Sequence, residues 1–97
     1  MHEVFISFSS KDRNVALNIC KFLEDKGIRC WIAPRNVDAG TNYVTQIGSA
    51  IKKGRVFVLA ASVNTNESEH VSNEVSLAFD NKKPIIPFKI EDFTFTV

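Results

Sequence analysis

The sequence has no long apolar run and no excess of charge of either sign. Twelve Lys and Arg stand against eleven Asp and Glu in 97 residues, a formal net charge of +1. This charge balance does not indicate the basic surface that binds nucleic acids or anionic membranes. A membrane span needs about 20 apolar residues, and a secretory signal needs a basic stretch before an apolar one. Neither is found, so we expect a cytoplasmic protein that binds no nucleic acid and no membrane.

Cysteine is scarce, and so are the common enzyme motifs. Cys20 falls in a helical pattern and Cys30 in a strand pattern, with no CxxC or Cys/His ligand spacing. We interpret both as reduced core thiols, and we predict no metal site. The sequence also lacks GxGxxG, a phosphate-binding P-loop, HExxH and GxSxG. Those absences exclude the commonest dinucleotide-binding, metalloprotease and serine-hydrolase signatures.

What is present is an alternation of strand and helix patterns. The run RVFVLAAS over 55–62 is apolar almost throughout, which is typical of a central parallel strand buried on both faces. The order strand, helix, strand predicts a three-layer α/β fold with a mainly parallel sheet and helices on both faces. The predicted strands are 4–8, 28–32, 55–62 and 83–90, and 93–97 fit either an edge strand or the start of a further unit. The helical stripes are Val15, Ile19, Phe22 and Leu23 within 11–26, then Val44, Ile47 and Ile51, then Val71, Val75, Ala78 and Phe79.

A sheet of this kind has a predictable ligand crevice. With strand order 2-1-3-4, the connections that leave strands one and three diverge to opposite faces of the sheet. A crevice therefore opens beyond their carboxyl ends, where ligands bind in open α/β sheets. We expect the loops 8–11, 33–42 and 62–70 to border it.

The third helix carries a carboxylate near this crevice. Glu74 lies at the edge of the apolar stripe that includes Val71 and Val75, so we expect it to border the core without entering it. His70 lies one turn earlier on the same helix. A solvated glutamate beside a surface histidine is the simplest structural interpretation. Ser68 is most simply the N-cap of this helix.

Four separated segments resemble a Toll/interleukin-1 receptor (TIR) domain of the bacterial or archaeal type. They are FISFSSKDR, CWIAPRNVDAGTNY, VLAAS and SEHVSNEV, which follow the family's order over nearly the whole chain. The resemblance implies a flavodoxin-like fold and a single TIR domain over 1–97. Family members usually continue through another helix, a fifth strand and a final helix. We therefore expect the chain to be the N-terminal part of a longer protein.

The resemblance extends to the loop after the second strand, which the family calls the BB loop. This loop often carries Arg-Asp-x-x-Pro-Gly and takes part in self-association. Here the Asp and the Pro are replaced, while the Arg and the Gly remain. The predicted self-association residues are Pro34, Arg35, Asn36, Val37, Asp38, Ala39 and Gly40.

Enzymatic TIR domains share a Ser-x-Trp-x-x-x-Glu pattern whose glutamate is essential for cleaving NAD+ at the nicotinamide ribosyl bond. This chain has Ser68, His70 and Glu74 at those places, with histidine replacing tryptophan. The resemblance therefore implies a catalytic Glu74, with NAD+ as substrate and no cofactor. The implied products are nicotinamide and ADP-ribose or a cyclic ADP-ribose isomer. The implied setting is immune signalling or antiphage defence, activated by self-association with other TIR domains and by an attached or partner sensor or effector domain.

Aromatic side chains and a polar helix start complete the predicted site. Phe8 and Trp31 can each stack on a base or nicotinamide ring, although core packing explains both more simply. Ser9, Ser10 and Lys11 can bind phosphate or ribose at a helix N-terminus, and capping explains the serines equally well. The predicted substrate-binding residues are Phe8, Ser9, Ser10, Lys11, Trp31, Arg35, Ser68 and His70.

A non-enzymatic module that assembles through TIR–TIR contacts is the alternative function. The near-neutral charge permits it, and self-association is common to both hypotheses. Glu74 separates them, because a scaffold has no need of that carboxylate.

Overall fold

Short apolar strands alternate with capped helices along the chain. The computed structural model describes residues 2–40 and 42–90, so the undecided segment 93–97 lies outside the described residues. In chain order the elements are β1 (Val4–Phe8), a 3-10 turn (Ser10–Asp12), α1 (Arg13–Asp25), β2 (Cys30–Trp31), α2 (Tyr43–Lys53), β3 (Val56–Ala61), a second 3-10 turn (Val63–Glu67), α3 (Glu69–Asp80) and β4 (Ile85–Lys89).

The strands form one sheet in the order β2-β1-β3-β4, and every pairing is parallel. Val4 at the start of β1 lies opposite Cys30 on one side and Val56 on the other. The predicted strand order and α/β fold are therefore confirmed. β3 is central and almost wholly buried, as its apolar run predicts.

The core has two halves, one on each face of the sheet. Ala16, Ile19 and Cys20 of α1 pack on one face. Residues of α2 and α3 pack on the other face, around Phe5 and Leu59. Parallel strands joined by right-handed crossovers place helices on both faces in this way, which gives the predicted three layers. Among the described residues, no helix is long and apolar enough to cross a membrane.

Several local predictions need correction. β2 spans only two residues instead of 28–32, and α1 begins at Arg13 because the preceding turn is a 3-10 helix. Phe22 and Phe88 remain exposed, since they border an apolar groove between α1 and β4 that no described residue covers. The members of the predicted stripes that the structure leaves exposed are Val15, Phe22, Val44 and Phe79.

Candidate functional site

A cavity of about 250 Å³ opens between the carboxyl end of β1, the start of α2 and α3. It lies in the crevice that the strand order predicts. The loops 8–11 and 33–42 border it as expected, whereas 62–70 reaches it only through its last residue. We call it the Glu74 cavity. Its lining residues are Phe5, Ile6, Phe8, Ser10, Arg13, Ala33, Pro34, Tyr43, Ile47, His70 and Glu74.

Glu74 is more deeply placed than its helical position predicts. Its exposed fraction is only 7%, so the expectation that it borders the core without entering it is wrong. The physical reason is a polar partner on the neighbouring strand. The Ser7 hydroxyl of β1 donates a hydrogen bond to Glu74 Oε1 at 2.7 Å. A buried carboxylate is tolerated where such a donor exists.

The environment of Glu74 disfavours its charged form. Burial raises the pKa of Glu74, while the Ser7 hydrogen bond and the nearby His70 oppose that rise. Tyr43 faces the same cavity, and its pKa is raised by burial and by the charge of Glu74. A cation that enters the cavity would stabilise the Glu74 carboxylate, because opposite charges nearby favour ionisation.

His70 lies one turn before Glu74 and connects α3 to β1. Its Nε2 is 3.1 Å from the carbonyl oxygen of Phe8, and its Nδ1 is 3.1 Å from Ser68 Oγ. Ser68 is the N-cap of α3, since its Oγ accepts a hydrogen bond from the Val71 backbone N–H. The expected capping role of Ser68 is thus confirmed. His70 forms part of the cavity wall at the place where the family pattern has tryptophan.

A second depression, of about 530 Å³, adjoins the Glu74 cavity and shares Ser10 and His70 with it. Ser9 and Lys11 line this neighbouring depression. Ser9 is also the N-cap of the first 3-10 turn, where its Oγ accepts from the Lys11 backbone N–H. The serine-rich segment therefore lies in the predicted crevice, but only Ser10 among these three residues reaches the Glu74 cavity.

Trp31 and Arg35 were predicted to bind substrate, but the structure places neither in the Glu74 cavity. The Trp31 ring stacks on Phe5 at a centroid distance of 5.2 Å, so it packs against the core. The Arg35 guanidinium turns back toward α1. It donates to both carboxylate oxygens of Glu24 at 2.8 Å and to the Cys30 carbonyl at 3.0 Å. Those partners hold it away from the crevice.

The BB loop is fixed at its start although the usual Asp and Pro are replaced. Asn36 Oδ1 accepts hydrogen bonds from the Ile32 backbone N–H and from Arg35 Nε, each at 3.0 Å. Further along the loop, the Gln46 side chain binds both backbone polar groups of Asp38. Gly40 has a φ of +83°, a left-handed conformation that favours glycine. Pro34 of this loop forms part of the cavity wall.

Sequence analysis missed two residues of the cavity whose side chains carry polar groups. Arg13, the first residue of α1, lines it, and its side chain forms no hydrogen bond or ion pair with any described residue. Tyr43, the first residue of α2, lies opposite. Both begin helices that start at the crevice. Their position after a loop bordering the crevice was therefore the signal that could have identified them.

Comparison with known proteins identifies one family. The model of the TIR domain family matches residues 4–96 of the chain. No curated protein matches the sequence. A family match of this extent covers β1 to β4 and all the residues of the Glu74 cavity.

Solved structures share the fold at low sequence identity. The TIR domain of the Toll-related receptor TRR-2 from Hydra magnipapillata is 20% identical with a TM-score of 0.89, covering 99% of this chain and 76% of that one. The TIR domains of the activated Roq1 resistosome that recognises the effector XopQ are 20% identical, with a TM-score of 0.79 and coverages of 90% and 56%. A metazoan TIR-STING receptor from C. gigas is 23% identical, with a TM-score of 0.77 and coverages of 91% and 30%. The chain thus spans only about half of the matched Roq1 chain and about a third of the TIR-STING chain.

Proposed function

We propose that this chain, which belongs to the TIR domain family, cleaves NAD+ at the bond between nicotinamide and ribose. The products are nicotinamide and either ADP-ribose or a cyclic ADP-ribose isomer. The observation that carries the proposal is the state of Glu74. It is a buried carboxylate that faces an open cavity, and among the described residues only Ser7 donates a hydrogen bond to it. Its remaining lone pairs are available to a ligand.

One carboxylate suffices for this chemistry. The nicotinamide ring of NAD+ is cationic, so when the ribose C1′–N bond breaks its electron pair neutralises the leaving group. An ordinary glycoside instead needs a second carboxyl group as general acid. Glu74 would accept hydrogen bonds from the ribose hydroxyls and stabilise the positive charge that develops at C1′. Water, or a nucleophilic atom of the adenosine half of the same molecule, then forms the new bond to C1′ and gives up a proton to solvent.

The shape and charge of the cavity support a nicotinamide riboside in this position. Apolar side chains of Phe8, Tyr43 and Ile47 line it and can flank a flat ring. The cationic nicotinamide would favour ionised Glu74 and so offset the effect of burial on its pKa. Arg13 has no protein partner among the described residues, and its charge suits the pyrophosphate.

The volumes of the Glu74 cavity and of the adjoining depression support a division of the dinucleotide between them. The Glu74 cavity, at about 250 Å³, is smaller than the roughly 300–1,000 Å³ typical of ligand pockets. It therefore suits half of NAD+. The adjoining depression of about 530 Å³ offers room for the other half, with Ser9 and Lys11 near the phosphates. Ser10 and His70 belong to both and would contact the middle of the substrate.

Self-association is the proposed trigger. Pro34 belongs both to the BB loop and to the wall of the Glu74 cavity, so a second copy docked on Pro34–Gly40 would border the substrate. The matched Roq1 structure is that of an activated resistosome, which supports control of TIR domains by assembly. A sensor or effector domain would supply the signal, in immune signalling or antiphage defence.

The test is NAD+ consumption with separation of products, using folded protein on beads or under crowding to promote assembly. Wild type should release nicotinamide, and Glu74→Gln should not. Asp80→Asn is the matched control, because it removes the same charge from the exposed end of α3 and should remain active. An assembled, folded wild type that leaves NAD+ intact would instead indicate a non-enzymatic interaction module.

A further inference from the structure

Two cysteines ten residues apart in the sequence meet where α1 packs on β2. Cys20 and Cys30 are buried free thiols. Glu24 lies one turn after Cys20 on the same helix, a spacing that places both side chains on one face. One ligand atom from each of these three residues lies within 4.8 Å of the others. No other such group of three occurs among residues 2–40 and 42–90.

We propose that Cys20, Glu24 and Cys30 bind a thiophilic divalent cation, and that Zn²⁺ is the best match. Zinc sites in proteins combine cysteine sulfur with carboxylate oxygen, whereas Mg²⁺ and Ca²⁺ prefer oxygen ligands alone. Three protein ligands leave the fourth tetrahedral position to water. The sequence spacing gives no sign of this site, because its ligands come from a helix and from the strand that follows a turn.

The geometry requires a small contraction. Zinc–sulfur bonds of about 2.3 Å in a tetrahedral site place two sulfur atoms about 3.8 Å apart. The two sulfur atoms now lie at most 4.8 Å apart, so they must approach by about 1 Å or less. Glu24 is an exposed residue on the surface of α1, so its side chain can rotate without disturbing the core.

Arg35 acts as an outer partner of the same site. A divalent cation with two thiolates and one carboxylate carries a net charge of −1, which the Arg35 guanidinium neutralises. Arg35 already donates to both oxygens of Glu24 and to the Cys30 carbonyl. Each carboxylate oxygen has a second lone pair, so Glu24 can bind the cation while keeping Arg35. Outer partners of this kind orient metal ligands.

Both thiols are buried, which acts against disulfide formation and also means that a metal must displace their protons. Burial raises the pKa of Cys20 and raises that of Cys30 to about 12, so without metal both are protonated at neutral pH. The charged groups that act on them are Glu24 and Arg35. Protonated thiols are poor nucleophiles for forming a disulfide. Binding Zn²⁺ forms two Zn–S bonds and releases both thiol protons to solvent, so affinity should rise with pH.

Bound metal would tie α1, β2 and the start of the BB loop together. Cys20 and Glu24 belong to α1, Cys30 belongs to β2, and Arg35 is the second residue of the BB loop. None of the four lines the Glu74 cavity. The site is therefore separate from the Glu74 cavity, and its presence can be tested without any activity measurement.

The test is titration of the whole reduced, metal-free chain with Co²⁺ and then Zn²⁺. Wild type should bind one Co²⁺ with the near-ultraviolet absorption of thiolate-to-cobalt charge transfer, and Zn²⁺ should displace it. Cys20→Ser and Cys30→Ser should each abolish that absorption. Arg35→Met should weaken Zn²⁺ binding by about 10-fold or more, as removal of an outer partner does. X-ray absorption of the wild-type zinc form should show sulfur at about 2.3 Å.

Asp25→Asn is the control, because Asp25 neighbours Glu24 but pairs with Lys21 on the surface. It should bind Zn²⁺ as wild type does. Where a cysteine variant fails to fold, Glu24→Gln replaces it, since Glu24 is exposed, and should weaken Zn²⁺ binding at least as much as Arg35→Met does. A folded, reduced wild type without thiolate-to-cobalt absorption would overturn the proposal. So would Glu24→Gln or Cys20→Ser binding Zn²⁺ as tightly as wild type.

Discussion

Two buried carboxylates stand at the crevice, and their partners differ. Asp12 is 9% exposed, and it accepts hydrogen bonds from the Ser62 hydroxyl at 2.5 Å and from the Asn64 amide at 3.1 Å. Glu74 is 7% exposed, and among the described residues it accepts only from Ser7. Asp12 is absent from the walls of the Glu74 cavity, whereas Glu74 forms part of them. The two carboxylates are therefore similarly buried but differ in their hydrogen-bond partners and in their access to the cavity.

The difference supports a structural role for Asp12 and the reactive role that we propose for Glu74. Asp12 follows β1 and its partners follow β3, so their hydrogen bonds hold together the two loops that bound the crevice. A charge satisfied in this way stabilises the fold. Glu74 keeps lone pairs that no other described residue engages, its pKa is raised, and it faces the space where a ligand fits. Perturbed groups of that kind mark candidate active sites.

The sharpest way to examine the reactive carboxylate is to shorten it. Glu74→Asp keeps the charge but withdraws it from the cavity by one methylene. A misplacement of about 1 Å can reduce a rate by about 10²-fold, so we expect a loss of that order in kcat/KM for NAD+. Nicotinamide release by wild type and variant at matched folded concentration measures it. Unchanged kcat/KM would argue against a positioned catalytic carboxylate.

Truncation of the structural carboxylate should act on stability. Asp12→Ala leaves Ser62 and Asn64 without their acceptor, and hydrogen bonds to charged groups contribute about 1.5–3 kcal/mol. For a domain of this length, each kcal/mol lowers Tm by about 4–8 °C, so a fall of roughly 10 °C is expected. Thermal unfolding followed by circular dichroism checks this. A change of Tm within error would show that the network is not stabilising.

Removing the charge of Glu74 should stabilise the fold, whereas truncating Asp12 should destabilise it. The native pKa of Glu74 is raised by burial, so its protonated form is favoured in the fold and stability falls as pH rises through that raised pKa. Glu74→Gln should therefore be more stable than wild type at neutral pH, because the variant carries no charge that burial penalises. The gap should close below the ordinary pKa of glutamate. Urea unfolding at several pH values measures it, and a destabilised variant at neutral pH would contradict the account.

The smallest expected effect concerns the partner of Glu74. The Ser7 hydrogen bond lowers the pKa of Glu74, so Ser7→Ala should raise it. Since the proposed reaction needs the carboxylate, the acidic limb of kcat/KM should move to higher pH in Ser7→Ala. Ser72→Ala on the exposed face of α3 is the control and should leave the profile in place. A shift to lower pH in Ser7→Ala would contradict the assignment.

The sequence predicted what depends on local pattern. The bounds of β1 were correct because VFISF is rich in β-branched and aromatic residues and is followed by two serines. Ser68 was correctly expected to cap α3, since an N-cap serine needs only the helix that follows it. The crevice was correctly placed because strand order determines where the connections diverge.

The features that the sequence did not predict depend on contacts between distant parts of the chain. Helical periodicity gives the angle of Glu74 around α3, but its depth depends on how close the helix lies to Ser7 of β1. Arg35 was expected in the crevice, and its actual partner, Glu24, is on another element. The meeting of Cys20 with Cys30 likewise arises only when α1 packs on β2. None of these contacts can be predicted from the spacing of the residues along the sequence.

The central claim is that Glu74 is the reactive carboxylate and Asp12 the structural one. The direct test is NAD+ cleavage per folded molecule by assembled wild type, Glu74→Gln and Asp12→Asn, with folded fractions measured in the same samples. The account predicts that Glu74→Gln loses about 10³-fold, the upper end of the range for one lost electrostatic group, while folded Asp12→Asn still cleaves NAD+. Cleavage by Glu74→Gln at the wild-type rate would contradict it.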